Sequence, residues 1–251
     1  MNITGRTALV TGGQRRLGRE IALGLAAAGA NVIVAHYEDL DLAEETVNRI
    51  QGMGVGALRI SIDVSDKQSV TEAAKAAFSR FDCVDILVNA ASYYKKVPFP
   101  NPDTSNWERS LGVLLNGPFY LSNALAPKML QKGEGVIINI CDLSAVWECW
   151  PDYTGHVVGK AGLWALTRQL ALELAPKVRA NAIAPGPIIP PVDYDEAKIA
   201  RTADKTLLNK WGDPQDIVRT VIYIVENNYL TGELIHVDGG QRFAHRKYEE
   251  G

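Results

Sequence analysis

Short apolar runs rich in β-branched residues alternate with longer stretches of helical periodicity along the whole chain. The runs at residues 7–10, 31–35, 57–63, 86–89, 136–140, 178–183 and 234–237 read as strands buried on both faces, because apolar positions follow one another instead of alternating with polar ones. Apolar residues spaced three and four apart predict helices over 17–28, 42–51, 67–80, two pieces between 104 and 131, 154–174 and 214–226. Strand–helix alternation of this kind predicts an α/β fold: one doubly wound parallel sheet of seven strands with helices on both faces. No linker, repeat or low-complexity tract interrupts it, so residues 1–251 read as a single domain. The alternation lapses at PGPIIPP (185–191), which opens a stretch to about 211 suited to a substrate loop. The polar tail 241–251 reads as a mobile end or a subunit contact.

Composition changes the picture only by exclusion. The chain has 251 residues, 47% of them hydrophobic, which suffices for one large core. A net charge of −3 with scattered Lys and Arg gives no general attraction to nucleic acid or an anionic membrane. Cys83, Cys141 and Cys149 are odd in number and lack zinc-type spacing, so no metal site or disulfide framework is expected and buried structural thiols are the simpler reading. The chain enters its first strand at once, without a cleavable leader, and no apolar run reaches 18 residues. A cytoplasmic enzyme-sized domain is the expectation.

Candidate chemistry concentrates in residues 135–160. His156 and Lys160 lie four apart, hence one turn apart on one face of the predicted helix, and Asp142 follows the end of the preceding strand. An acid, an imidazole and an amine at the carboxyl edge of a parallel sheet can handle protons. The same spacing also fits an ordinary solvated helix start. A second signal lies at the other end of the chain. Thr11 to Gly18 (TGGQRRLG) joins the first strand to the first helix, with Gly12 and Gly13 at the turn and Gly18 where helix meets sheet, so the helix N-terminus is placed to hold a pyrophosphate. Glu38 stands about 20 residues further on, where an acid in a dinucleotide site contacts a ribose hydroxyl.

Together these motifs resemble the short-chain dehydrogenase/reductase family, and most closely its pteridine reductases. The resemblance runs from Thr7 to about Gly240. It implies a Rossmann-type fold in which Lys160 is the family Lys, His156 holds the position of the family Tyr, Asp142 that of the Ser, and Leu114 that of the Asn; Tyr153 matches a second, non-catalytic aromatic. Asn116 lies two residues beyond Leu114, roughly 200° around an ideal helix. Asp142, Lys160 and His156 are thus the expected catalytic set. The implied cofactor contacts are Thr11, Gly12, Arg15, Arg16, Leu17, Gly18, Tyr37, Glu38, Asp63, Val64, Asn89, Ala90, Lys160, Pro185, Gly186 and Ile188. Arg16 replaces a family glycine, as in pteridine reductases, where the Arg helps bind a 2′-phosphate. That favours NADP(H), whereas Glu38 and Asp39 favour NAD(H); the balance leans to NADP(H).

The resemblance supports an NAD(P)-dependent oxidoreductase, pteridine-reductase-like, that reduces a carbonyl or pterin with an atypical proton donor. A catalytically silent relative that binds dinucleotide or serves as an assembly subunit fits the altered tetrad as well. The small-molecule pocket is expected to use Tyr93, Tyr94, Trp147, Trp150 and the loop 185–205, although aromatics at a subunit seam would look the same. Helix 154–174 is apolar over most of its circumference, which suggests a homotetramer or dimer built on it.

Overall fold

The computed structural model describes residues 1–246 and has one seven-stranded sheet of order β3-β2-β1-β4-β5-β6-β7, every pair parallel. The strands are β1 (Thr7–Thr11), β2 (Asn31–His36), β3 (Ala57–Ser61), β4 (Ile86–Asn89), β5 (Gly135–Ile140), β6 (Val178–Pro185) and β7 (Leu234–Val237). The expectation of a doubly wound sheet holds. Only β3 stops clearly early: Asp63 leaves the strand because its carboxylate accepts from the amide and hydroxyl of Ser65, turning the chain toward the next helix.

Two apolar layers sandwich the sheet. Helices α1 (Arg16–Ala27), α2 (Leu40–Gln51) and α8 (Pro214–Glu226) cover one face, where Ile21, Leu25, Ile50, Ile217 and Val221 meet Val10, Val34 and Ile138. Helices α3 (Lys67–Arg80), α5 (Gly117–Lys132) and α6 (Thr154–Leu174) cover the other, where Val70, Leu121 and Leu125 meet Leu9, Leu87 and Ile137. Full burial of each such side chain contributes about 1.5–3 kcal/mol. The strand order reverses between β1 and β4, which opens a crevice at their carboxyl ends.

The amino edge of the sheet is tied by charge. Asp85, buried before β4, accepts from the amide of Thr7 at 2.9 Å, faces Arg6 at 3.5 Å and accepts from Lys132. Arg6 also meets Glu134 at 2.6 Å, so the starts of β1, β4 and β5 share one network.

Two elements depart from the sequence expectation. A short helix α7 (Glu196–Ala203), capped by Asp195, stands inside the predicted loop; its eight residues bury nothing completely, so they carry little hydrophobic signal. Between α4 (Ser105–Leu111) and α5 the helix widens into a π turn, Gly112–Asn116. Helix α6 lies hard against the end of α4 and this turn through Gly155, Gly159 and Gly162. A Cβ on these would come within 2.8 Å of Ser110, 2.9 Å of Leu114 and 3.0 Å of Leu115. That glycine stripe sets how close the helix bearing His156 and Lys160 can approach. No helix among the described residues is long and apolar enough to cross a membrane.

Candidate active site

The sheet brings Asp142, His156 and Lys160 together. His156, only 3% exposed, projects from the first turn of α6. Its Nε2 lies 2.6 Å from Asp142 Oδ2 and its Nδ1 lies 3.0 Å from the carbonyl oxygen of Tyr93. A carbonyl only accepts, and an ionised carboxylate only accepts, so both contacts are met by a ring protonated on both nitrogens. Asp142 is held ionised. Burial pushes its carboxyl up, but the hydrogen bond from His156, the nearby Lys160 charge and a hydrogen bond from Ser144 outweigh that and leave it below the usual carboxylate range. Its Oδ1 accepts from Ser144 N at 2.9 Å and from Ser144 Oγ. No ring N–H of His156 is left free. Asp142 is the more exposed member of the pair and the one through which it meets the cavity surface.

The sign for stability follows. Asp142 has a lower pKa folded than unfolded, so its contribution is present above about pH 4 and disappears as pH falls through the folded value. Asp142→Asn is therefore expected to flatten the acid limb of a plot of urea midpoint against pH while barely changing its slope near neutrality. An unchanged acid limb would show that another group governs it.

Lys160 is buried, and its Nζ donates to the carbonyl oxygen of Ile140 at 2.6 Å. Among the described residues this is its one hydrogen-bond acceptor, so two ammonium donors remain beside the carboxyl end of β5. Burial drives the neighbouring Cys141 thiol up to about 12, which makes it inert; Cys149, by contrast, is exposed rather than buried. Leu114 is fully buried against Gly159, and Asn116 is exposed, so even the distorted helix brings no amide to the site.

At the dinucleotide end, Gly12 has φ +65° and a Cβ on Gly18 would sit 2.3 Å from the carbonyl oxygen of Gly12. No side chain caps the start of α1, which leaves its first amides for an anion. Thr11 is used internally: its hydroxyl accepts from the amides of Ala90 and Ala91 at 2.9 Å and pins β1 to β4. The two arginines divide. Arg15 pairs with Asp39 at 2.9 Å beside Tyr37 and Glu38 at the end of β2, whereas Arg16 turns away and donates to the carbonyls of Ile189 and Pro190. Asp63 is engaged by Arg109 at 2.7 Å and by Ser65, next to buried Val64, and Arg109 lies 5.1 Å over the Tyr37 ring. Asn89 donates to Asn139 at 2.8 Å, and Asn139 to Thr167 at 2.8 Å; Asn89 Oδ1 is buried without a partner. Gly186, after Pro185, is required by the approach of Asp238, whose Cα a Cβ would meet at 2.7 Å. The uncapped helix start, the buried orphan oxygen and the unfilled Lys160 donors fit a dinucleotide laid across these strand ends.

A cavity of about 480 Å³ opens over the pair, lined by Tyr94, Asp142, Trp150, His156, Ile188 and Trp211 among others. Two expected lining residues are elsewhere. Tyr93 serves through its carbonyl, and Trp147 turns outward to donate to His236 Nε2 at 2.9 Å. Glu148 and Gln241 are among the lining residues that went unforeseen, because neither is itself part of a motif. Gln241 belongs to a 3-10 turn, Gln241–Arg246; the rest of the tail, 247–251, lies outside the described residues.

A family profile described as Enoyl-(Acyl carrier protein) reductase matches residues 12–242. The 3-oxoacyl-(acyl-carrier-protein) reductase FabG of Staphylococcus epidermidis is 35% identical over 242 residues, which cover 94% of this chain and 98% of that protein. The 3beta-hydroxysteroid dehydrogenase 1 of Eggerthella lenta is 34% identical, with 95% and 94% covered. Among solved structures, FolM alternative dihydrofolate reductase 1 from Brucella canis, complexed with NADP, has a TM-score of 0.87 at 34% identity, with 96% of each chain covered.

Proposed function

The chain belongs to the short-chain dehydrogenase/reductase family, and on that premise we propose that it is an NADP(H)-dependent reductase acting on a C=O or C=N group of a compact, flat substrate of the pterin type. The observation that carries this reading is the 2.6 Å contact of His156 with Asp142, a proton-bearing pair that faces an open cavity. A reduced nicotinamide, when bound, supplies hydride to the substrate's electrophilic carbon. The protein supplies the proton. The Nε2 proton of His156 passes through Asp142 Oδ2 to the developing anion, which leaves the imidazole neutral and the carboxylate ionised, and solvent reprotonates the ring. The Tyr93 carbonyl holds the ring, and Ser144 holds the carboxylate. Lys160, with Asn89, Pro185 and Gly186, forms the nicotinamide end; Arg15, Tyr37 and Asp63 form the adenosine end.

The test is loss of NADPH absorbance across a panel of pterins, diketones and a 3-oxoacyl thioester. Turnover with a pterin well above the other classes supports the reading; turnover with the thioester alone would replace it. A silent dinucleotide-binding relative is the second reading, favoured by Leu114, which leaves the fourth catalytic position apolar. It predicts binding without turnover on any of them.

Cofactor choice is checked separately. NADPH at a hundredfold excess over Kd contributes about 2.7 kcal/mol, a rise in Tm of roughly 5–10 °C for a chain of this size. Arg15→Ala is expected to weaken NADPH about tenfold more than NADH, while Arg16→Ala leaves that ratio unchanged. The reverse pattern would return the phosphate to Arg16. Exposed Val158 and Leu172 on α6, with Phe119 on α5, further suggest pairing of copies through this face; a monomeric mass in light scattering would count against it.

A further inference from the structure

Resting on the reductase reading, we propose that Glu148 determines substrate specificity, accepting hydrogen bonds from the amino-bearing edge of a flat heterocycle. Glu148 lines the same cavity as Asp142 and His156. Two neutral donors fix its carboxylate: Trp150 Nε1 reaches Oε2 at 2.7 Å, and Gln241 Nε2 reaches Oε1 at 3.0 Å. Each carboxylate oxygen accepts about two hydrogen bonds, so one position on each oxygen stays open. Two such acceptors side by side match a pair of N–H groups on one ring edge, the geometry that makes bidentate recognition selective.

Charge supports the same assignment. Among the described residues no cation lies within ion-pair distance of Glu148. Of the Arg and Lys side chains that line the cavity, Arg16 already donates to two backbone carbonyls and Lys205 makes no ion pair with Glu148. A carboxylate that pairs with no cation among the described residues and borders an aromatic cavity favours a donor-rich or cationic guest. The aromatic surfaces are set by the same contacts. Trp150, held by Glu148, stacks on His156 with centroids 5.8 Å apart and planes 23° apart, and Tyr94 meets that imidazole edge-on at 4.9 Å. One side chain therefore joins the recognition end of the cavity to its proton-handling end.

The alternative is that Glu148 merely pins its own loop to the C-terminal turn. Pterin and lumazine separate the two, since lumazine carries an oxygen where pterin carries the amino group. Each is titrated by calorimetry into the full-length protein with saturating NADPH, so the readout does not depend on turnover. The wild type is expected to bind pterin at least tenfold more tightly than lumazine, because a site built to take a donor is left unpaired by its replacement. Glu148→Gln, which can donate as well as accept, should bring that ratio to one or below without changing Tm by more than a degree or two. Glu148→Ala should lose the preference too. If both probes bind the wild type equally, or if the variants weaken both by the same factor, the assignment is overturned while the heterocycle reading stands. If neither probe binds although NADPH still raises Tm, both fail.

Discussion

His156→Phe is expected to lower NADPH-dependent turnover by about 10²–10⁴-fold, the usual range for losing a positioned acid, while leaving the NADPH-induced rise in Tm nearly intact. Phe keeps the aromatic contacts with Trp150 and Tyr94 but removes both ring nitrogens, so Asp142 loses its proton source and the Tyr93 carbonyl loses its donor. Asp142→Asn should cost a similar factor, because an amide cannot relay a proton. The two losses should not add, since each removes the same pair. His156→Tyr is the complementary case. It places a phenol beside Lys160, yet its hydroxyl would replace the Nε2 contact with Asp142 and would not help an enzyme built on imidazole. Turnover indifferent to both His156→Phe and Asp142→Asn would remove the pair from the mechanism.

Asn139→Leu is expected to be the most damaging conservative change to the fold. Asn139 is fully buried and joins Asn89 to Thr167, so it links β4, β5 and α6 across the sheet. Leucine fills the space but strands the buried Asn89 amide, at about 1–3 kcal/mol, while the Thr167 hydroxyl keeps its donation to the carbonyl of Leu163. A loss of that size corresponds to a fall in Tm of roughly 2–12 °C. The check is thermal denaturation with Asn89→Ala as the second arm of a cycle. Removing the stranded amide should restore part of the loss, so the double variant should be more stable than the sum of the single ones. Additive losses would mean that the ladder carries no coupling.

The elements were legible because a doubly covered sheet writes itself as continuous apolar runs, and all seven strands were found nearly to the residue. The eight-residue α7 was not, since it packs by contacts such as Trp211 Nε1 to the carbonyl of Ile199 rather than by a buried stripe. For the site, spacing placed His156 and Lys160 on one helix face and Asp142 at the strand end. Direction was not written there. Adjacent Arg15 and Arg16 point to different ends of the groove because Arg16 takes a positive φ of 49°. Trp147 and Trp150 diverge in the same way across a 3-residue interval. Glu148 and Gln241 meet over 93 positions of chain, a proximity only the fold creates.

The charge network around Asp85 stands at the opposite end of the strands from the reactive groups, about 20 Å away along the six residues of β5. Effects at sites so far apart add independently. The scaffold therefore gives the reactive edge room to drift. The acid, the imidazole and the leucine of that edge can be exchanged without loosening β1, β4 and β5, because the anchoring at the far edge involves none of them.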